Sequence, residues 1–190
     1  MFFGSRLLAS GRSLGAAPRR VACLGDSLTA SGIYCSALKG YLPPCRHTKA
    51  CGDPGAGTRE IRNHVDEALA WGPTDLVVMA ALNDLPNDGE AAIVITNLKK
   101  IYDAAQIRGV RVIAVQLTPW LCYKKANAAA TWTVNDWIQN ESSVDEVVST
   151  WTLADAEYCL LRSYDAGDGL HLNRTGQETL AMLIADQAFH

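Results

Sequence analysis

Three stretches of the chain are apolar almost without interruption for about the length of one strand. Residues 20–25 read Arg-Val-Ala-Cys-Leu-Gly, residues 75–82 read Asp-Leu-Val-Val-Met-Ala-Ala-Leu, and residues 110–117 read Val-Arg-Val-Ile-Ala-Val-Gln-Leu. Such runs, with little alternation of polar and apolar positions, predict strands buried on both faces, as in a parallel sheet covered by helices. Residues 144–149 form a weaker fourth candidate. Between the strands the period changes. Ile61, Val65, Ala68 and Leu69 recur at helical spacing with Arg62, His64 and Asp66 interleaved, the signature of an amphipathic helix. Ala92, Ile95, Leu98, Ile101, Tyr102 and Ala105 repeat the pattern over a longer run. Asn87 or Asp88 can cap its start, and Gly109 can end it. Thr133 and Asp136 stand at capping-box spacing and predict a short helix through Trp137. A last helix, capped by Asn173 and running from Arg174, presents Leu180, Leu183 and Ile184.

Strand and helix in alternation define an α/β domain with right-handed crossovers. No repeat, low-complexity tract or long linker interrupts it, so residues 20–190 read as one domain behind a basic leader over residues 1–19. Residues 118–143 are the least regular segment and predict a lid or rim at one end of the sheet.

Composition narrows the class. Hydrophobic residues make up 48% of the 190 and charged residues 19%, which excludes wholesale disorder and fibrous repeats. No apolar run approaches the ~18 residues of a membrane span. A net charge of −3 supplies no basic field for nucleic acid. The leader carries four Arg and no acidic residue through Arg20, but Arg6 and Arg12 break the apolar stretch that a secretory signal needs. There is thus no clear secretory signal, and the balance leans slightly to the cytoplasm. The six cysteines include no Cys-x-x-Cys pair, which argues against a structural zinc. Cys23, inside a core strand, reads as a small buried hydrophobe, and Cys45 with Cys51 as a pair able to close a disulfide in an oxidising compartment.

The polar residues that follow the predicted strands carry the chemistry, because ligands of open α/β sheets bind at the carboxyl ends of the strands. Gly25-Asp26-Ser27-Leu28-Thr29 follows the first strand, and the glycine loop of residues 51–58 precedes the first amphipathic helix. Asn83-Asp84 follows the second strand, Thr118-Pro119-Trp120 the third, and Asp168-Gly169-Leu170-His171 precedes the last helix. A serine hydroxyl needs a base to take its proton, and that base needs a carboxylate to fix its tautomer. Charge developing on a carbonyl oxygen needs preorganised N–H donors. The Ser27 amide, a loop glycine and the Asn83 carboxamide are suitable.

In this order the blocks resemble the SGNH (GDSL) hydrolase family. Gly25-Asp26-Ser27-Leu28 is similar to its nucleophile block, Gly52-x-x-Gly55 to its glycine block, Asn83-Asp84 to its Gly-x-Asn-Asp block, and Asp168-x-x-His171 to its acid–base block. Residues 117–120, Asn135-x-Trp137 and residues 165–173 further resemble its lysophospholipase-like esterase branch. The resemblance implies a three-layer α/β/α sandwich with a mainly parallel central sheet, of flavodoxin-like SGNH type. It also implies Ser27 as nucleophile, His171 as base and acid, and Asp168 as its orienting carboxylate. Ser27, Gly55 and Asn83 would form the oxyanion hole. The implied substrate is a small-molecule acyl ester: a small acyl or acetyl ester, on carbohydrate for example, or a lysophospholipid. No metal or organic cofactor is needed, and the sequence is silent on oligomeric state.

Two positions depart from the family pattern. Ala81 stands where a glycine is expected two residues before Asn83, and Ala50 where an Asn often precedes the glycine block. The second departure leaves Gly52 and Gly57 as rivals of Gly55, and Asp165 is a rival of Asp168. Asp26 and Asp84 read as braces of their turns. Trp120, Trp132 and Trp137 are candidates for a substrate rim, and Trp71 and Trp151 read as core. A recognition module on the same fold, binding glycan or acyl ligand without turnover, is the alternative function.

Overall fold

The computed structural model describes residues 19–42, 47–86 and 89–189. The apolar runs become β1 (Arg20–Gly25), β3 (Asp75–Met79) and β4 (Arg111–Val115), all nearly fully buried, and β5 (Glu146–Val148) follows. A further strand, β2 (His47–Gly52), completes a five-stranded, all-parallel sheet in the order β2-β1-β3-β4-β5. The helices are α1 (Ser27–Ala30), α2 (Ile33–Tyr41), α3 (Thr58–Ala70), α4 (Ala91–Gln106), α5 (Ala128–Asn140) and α6 (Arg174–Ala188). α2 packs on α6, while α3 packs on α4 and α4 on α5, giving the three-layer α/β/α sandwich. The chain steps from β1 outward to β2 and returns past β1 to β3. That reversal opens a crevice at the carboxyl ends of β1 and β3, where doubly wound folds hold ligands.

The opposite end of the sheet is tied by charge. Asp75, 1% accessible at its side chain, meets Arg19 at 3.0 Å and Arg111 at 3.3 Å. Arg111 also reaches Glu146 at 2.7 Å and the Ala188 carbonyl at 2.8 Å, so one guanidinium joins β3, β4, β5 and the end of α6. No helix among the described residues is long and apolar enough to cross a membrane.

Several expectations need correction. β2 was not legible because it is an edge strand whose side chains are exposed or half-buried, so no apolar run marks it. α5 begins at Asn127, whose side chain accepts the Ala130 N–H, and not at Thr133, whose hydroxyl donates back to the Ala129 carbonyl. The irregular segment is therefore half helix. Cys23 is not simply a hydrophobe: it is disulfide-bonded to Cys35, tying β1 to α2, and a second disulfide joins Cys122 to Cys159. Cys51 is a free thiol, whereas Cys45, the proposed caps Asn87 and Asp88, and the leader through residue 18 lie outside the described residues.

Candidate active site

Ser27 opens α1 directly after β1. Asp26 caps that helix by accepting the Leu28 N–H at 3.1 Å, which anchors the turn and leaves the Ser27 hydroxyl half-buried at the sheet edge. Its Oγ lies 3.2 Å from His171 Nε2, and His171 Nδ1 lies 2.6 Å from Asp168 Oδ2. Three side chains separated by up to 144 positions thus form one hydrogen-bonded chain.

The loop that supplies two of them is closed from within. Asp165 Oδ1 accepts the N–H groups of Gly167, Asp168 and Gly169 at 2.8, 3.2 and 3.1 Å. Asp168 Oδ1 accepts those of Leu170 and His171 at 2.9 and 2.8 Å. The Ala166 N–H donates to the His171 carbonyl, and Asn173 caps α6. Asp165 and Asp168 therefore both brace the turn, and Asp168 is the one that meets the histidine ring. Partial burial opposes ionisation of Asp168, but N–H donation from the His171 backbone and ring and from Leu170 outweighs it and holds the carboxyl below its ordinary range.

The glycine loop is stitched to the nucleophile turn by the Asp53 N–H, which donates to the Gly25 carbonyl at 3.0 Å. Its three glycines do different work. Gly52 pairs with Gly25 and lies so close to Thr29 and Ala30 that a side chain has no room. Gly57 donates its N–H to Glu60 at 3.2 Å. Gly55 adopts φ +78 with open space around it, and among the described residues its N–H has no protein acceptor. It is the glycine of the three whose amide is free to meet an oxygen in the crevice. Asn83 is exposed and donates one amide hydrogen to the Ala56 carbonyl at 3.0 Å, leaving the other available beside Gly55.

Behind Asn83 runs a relay that the sequence reading missed. Asp84 accepts from the Thr58 N–H at 2.8 Å and the Thr58 hydroxyl at 3.1 Å. Asn97 Nδ2 donates to that hydroxyl at 3.1 Å, and Arg62 donates to Asn97 Oδ1 at 2.9 Å. A buried Asn in the apolar stripe of α4 was the available signal, since a buried amide requires partners. Burial pushes the Asp84 carboxyl up despite the two bonds from Thr58.

The aromatic candidates separate. Trp120 is fully buried with its indole N–H on Thr131 Oγ1 at 2.9 Å, so it is core and not rim. Trp137 stacks on Tyr102, between α5 and α4. Trp132 is 39% exposed and stacks on Trp151, which is 52% exposed and not core. Trp71 is half-buried under the Arg20 guanidinium.

The parallel α/β sandwich is an architecture shared with known proteins. The chain belongs to the GDSL-like lipase/acylhydrolase family, whose sequence profile matches residues 23–179; members of that family are esterases and lipases. Its fold is similar to that of a lipolytic G-D-S-L family protein from Veillonella parvula (TM-score 0.73, 16% identity, 90% of this chain and 98% of that one). A lipase/acylhydrolase from Enterococcus faecalis gives TM-score 0.71 at 17% identity over 88% and 94% of the two chains. An acetyl xylan esterase gives 0.70 at 13% identity over 88% and 98%. No curated protein sequence matches this one.

Proposed function

We propose that the chain is a serine esterase that hydrolyses carboxylic acyl esters through an acyl-enzyme on Ser27. The observation that carries this reading is the continuous chain from Ser27 Oγ to His171 Nε2 at 3.2 Å and from His171 Nδ1 to Asp168 Oδ2 at 2.6 Å. With Nδ1–H donating to Asp168, Nε2 faces the hydroxyl as an acceptor. As Ser27 Oγ bonds to the ester carbonyl carbon, its proton passes to Nε2, and Asp168 stabilises the imidazolium. The charged oxygen is met by the N–H groups of Ser27 and Gly55 and the Asn83 carboxamide, donors already oriented before reaction. His171 then protonates the departing alcohol. Water, deprotonated by the same Nε2, then attacks the acyl carbon; the bond to Ser27 Oγ breaks, the acid leaves, and Oγ takes the proton back from His171.

The site is open: the side chains of His171 and Asp168 are 43% and 48% accessible, and Asn83 is exposed. An open edge suits a short acyl group whose alcohol portion extends into solvent. Acetyl esters of carbohydrate and lysophospholipids meet that description, and the similarity to an acetyl xylan esterase favours the former. Two disulfides favour an oxidising compartment, since such bridges rarely persist in a reducing cytosol.

The test is hydrolysis of p-nitrophenyl acetate and of acetylated oligosaccharides beside esters of rising acyl length. Ser27→Ala abolishes turnover while the fold is retained, and a fluorophosphonate probe labels Ser27. Retained turnover in that variant removes Ser27 as the nucleophile and sinks this reading, and glycan binding with neither turnover nor labelling in wild type sinks it in favour of a recognition module.

A further inference from the structure

The loop that carries Asp168 and His171 is shaped by its own hydrogen bonds, and Gly169 within it faces the segment at residues 122 and 123. A β-carbon placed on Gly169 would lie 3.6 Å from the Tyr123 nitrogen and 3.7 Å from the Cys122 carbonyl carbon and oxygen. The acid–base turn therefore lies beside the backbone of residues 122 and 123, with room at Gly169 for one β-carbon between them. That segment belongs to neither helix nor strand, so something else must hold it.

Two features do so. Cys122 is disulfide-bonded to Cys159 with 5.1 Å between their Cα atoms, and the Leu121 N–H donates to the Tyr158 carbonyl at 3.1 Å. The far side of this clamp is rigid. Tyr158 is fully buried at φ +59. Its hydroxyl donates to the Leu117 carbonyl at 2.6 Å, lies 3.0 Å from Thr150 Oγ1, and accepts from Asn135 Nδ2 at 3.1 Å. The Cys159 N–H donates to Asp155 Oδ1 at 2.9 Å. The bridge thus fastens this irregular segment to a fixed one, and the acid–base turn lies beside it.

We propose that the Cys122–Cys159 disulfide positions the Asp168–His171 loop for proton transfer from Ser27, so that the oxidised protein is the active form. This rests on the esterase reading of the same site. Cys122 occupies an exposed position, whereas Cys23 and Cys35 of the other bridge are 0% and 1% exposed. A dithiol in solution therefore reaches the former bridge first. Its thiolate attacks one sulfur of the bridge to give a mixed disulfide, and its second thiol displaces the cysteine. Two electrons and two protons pass to Cys122 and Cys159, which end as thiols, and the dithiol ends as its own disulfide. The segment is then free to shift, and a shift of a fraction of an ångström to one ångström at a reacting group lowers turnover by up to about a hundredfold.

The experiment compares wild type, Ser27→Ala and Cys122→Ser/Cys159→Ser as full chains in p-nitrophenyl acetate hydrolysis, with circular dichroism as the check of folding. The expected result for the double variant is a folded protein whose kcat falls about tenfold or more with KM within about twofold, and whose fluorophosphonate labelling at Ser27 slows in proportion. A merely structural bridge would leave the kcat of the folded fraction unchanged. Wild-type kcat in the folded double variant, with Ser27→Ala inactive, overturns the clamp and leaves the esterase reading standing; an active Ser27→Ala overturns the esterase reading itself. Should the double variant not fold, wild type treated with dithiothreitol, freed of it, and mapped by alkylation to new thiols at Cys122 and Cys159 supplies the same comparison. Loss of the fold there too overturns the proposal, because the bridge then holds the domain and not the loop.

Discussion

Asp168 grips His171 twice: its Oδ2 lies 2.6 Å from the ring Nδ1, and its Oδ1 accepts the backbone N–H of the same residue at 2.8 Å. One carboxylate therefore sets both the path of the chain and the orientation of the ring. The two tasks can be separated by substitution. In Asp168→Asn the amide oxygen can still accept the Leu170 and His171 N–H groups, so the turn survives. The amide NH2 then faces Nδ1, which favours the ring tautomer with its proton on Nε2, the wrong side for accepting from Ser27. We expect kcat to fall by about a hundredfold or more with the melting temperature little changed. Asp168→Ala loses both tasks and should fall in activity and in stability together. Equal activity of Asp168→Asn and wild type in ester hydrolysis would count against a role for this carboxylate.

How much of this was legible follows from which residues face water. β1, β3 and β4 are buried on both faces and announce themselves as apolar runs, whereas β2 pairs with β1 from the sheet edge and mixes His47 and Lys49 with Ala50 and Cys51. The Asp168–His171 pair was legible because its contact is local. Its link to Ser27 depends on the fold, and the order of the motif blocks stood in for it. Cys23–Cys35 and Cys122–Cys159 were not legible, since spacing alone does not determine cysteine pairing. Nor was the exposure of Trp151, which depends on where the 3₁₀ turn Trp151–Leu153 leaves the sheet.

Asp26 should make the protein less stable as pH rises through weak acidity. Burial pushes its carboxyl from 3.8 up to about 6, against the Leu28 N–H and the charge of His171, which lower it, while Asp84 raises it. Between those values the unfolded chain has released a proton that the folded chain retains, so stability falls with pH across that window and levels off above it. Asp26→Asn keeps an acceptor for the Leu28 N–H and removes the charge. It should be more stable than wild type near pH 7.5 by on the order of 2–3 kcal/mol, and the advantage should shrink toward zero below about pH 4. Urea unfolding of both proteins across that range measures it, and a difference independent of pH would refute burial of the charge as the cause.

Ala81 sits at φ +119 and is fully buried, two residues before Asn83. An L-residue in that region stores strain of about 1–3 kcal/mol. Glycine at this position relieves it, against an added backbone entropy of about 0.5–1 kcal/mol and the loss of a buried methyl of about 0.8 kcal/mol. Ala81→Gly should therefore lie between about 0.8 kcal/mol less and about 1.7 kcal/mol more stable than wild type. The neighbouring Ala80 is 6% exposed and shows no positive φ, so Ala80→Gly has no strain to release and should lose about 1–2 kcal/mol. The comparison isolates backbone strain from burial, because the two sites differ chiefly in φ. The turn itself should persist, since the Asp84 N–H donates to the Ala81 carbonyl at 3.0 Å whichever side chain is present. Thermal melts of the two variants decide the matter: equal losses at both positions would mean that the loop before Asn83 carries no strain.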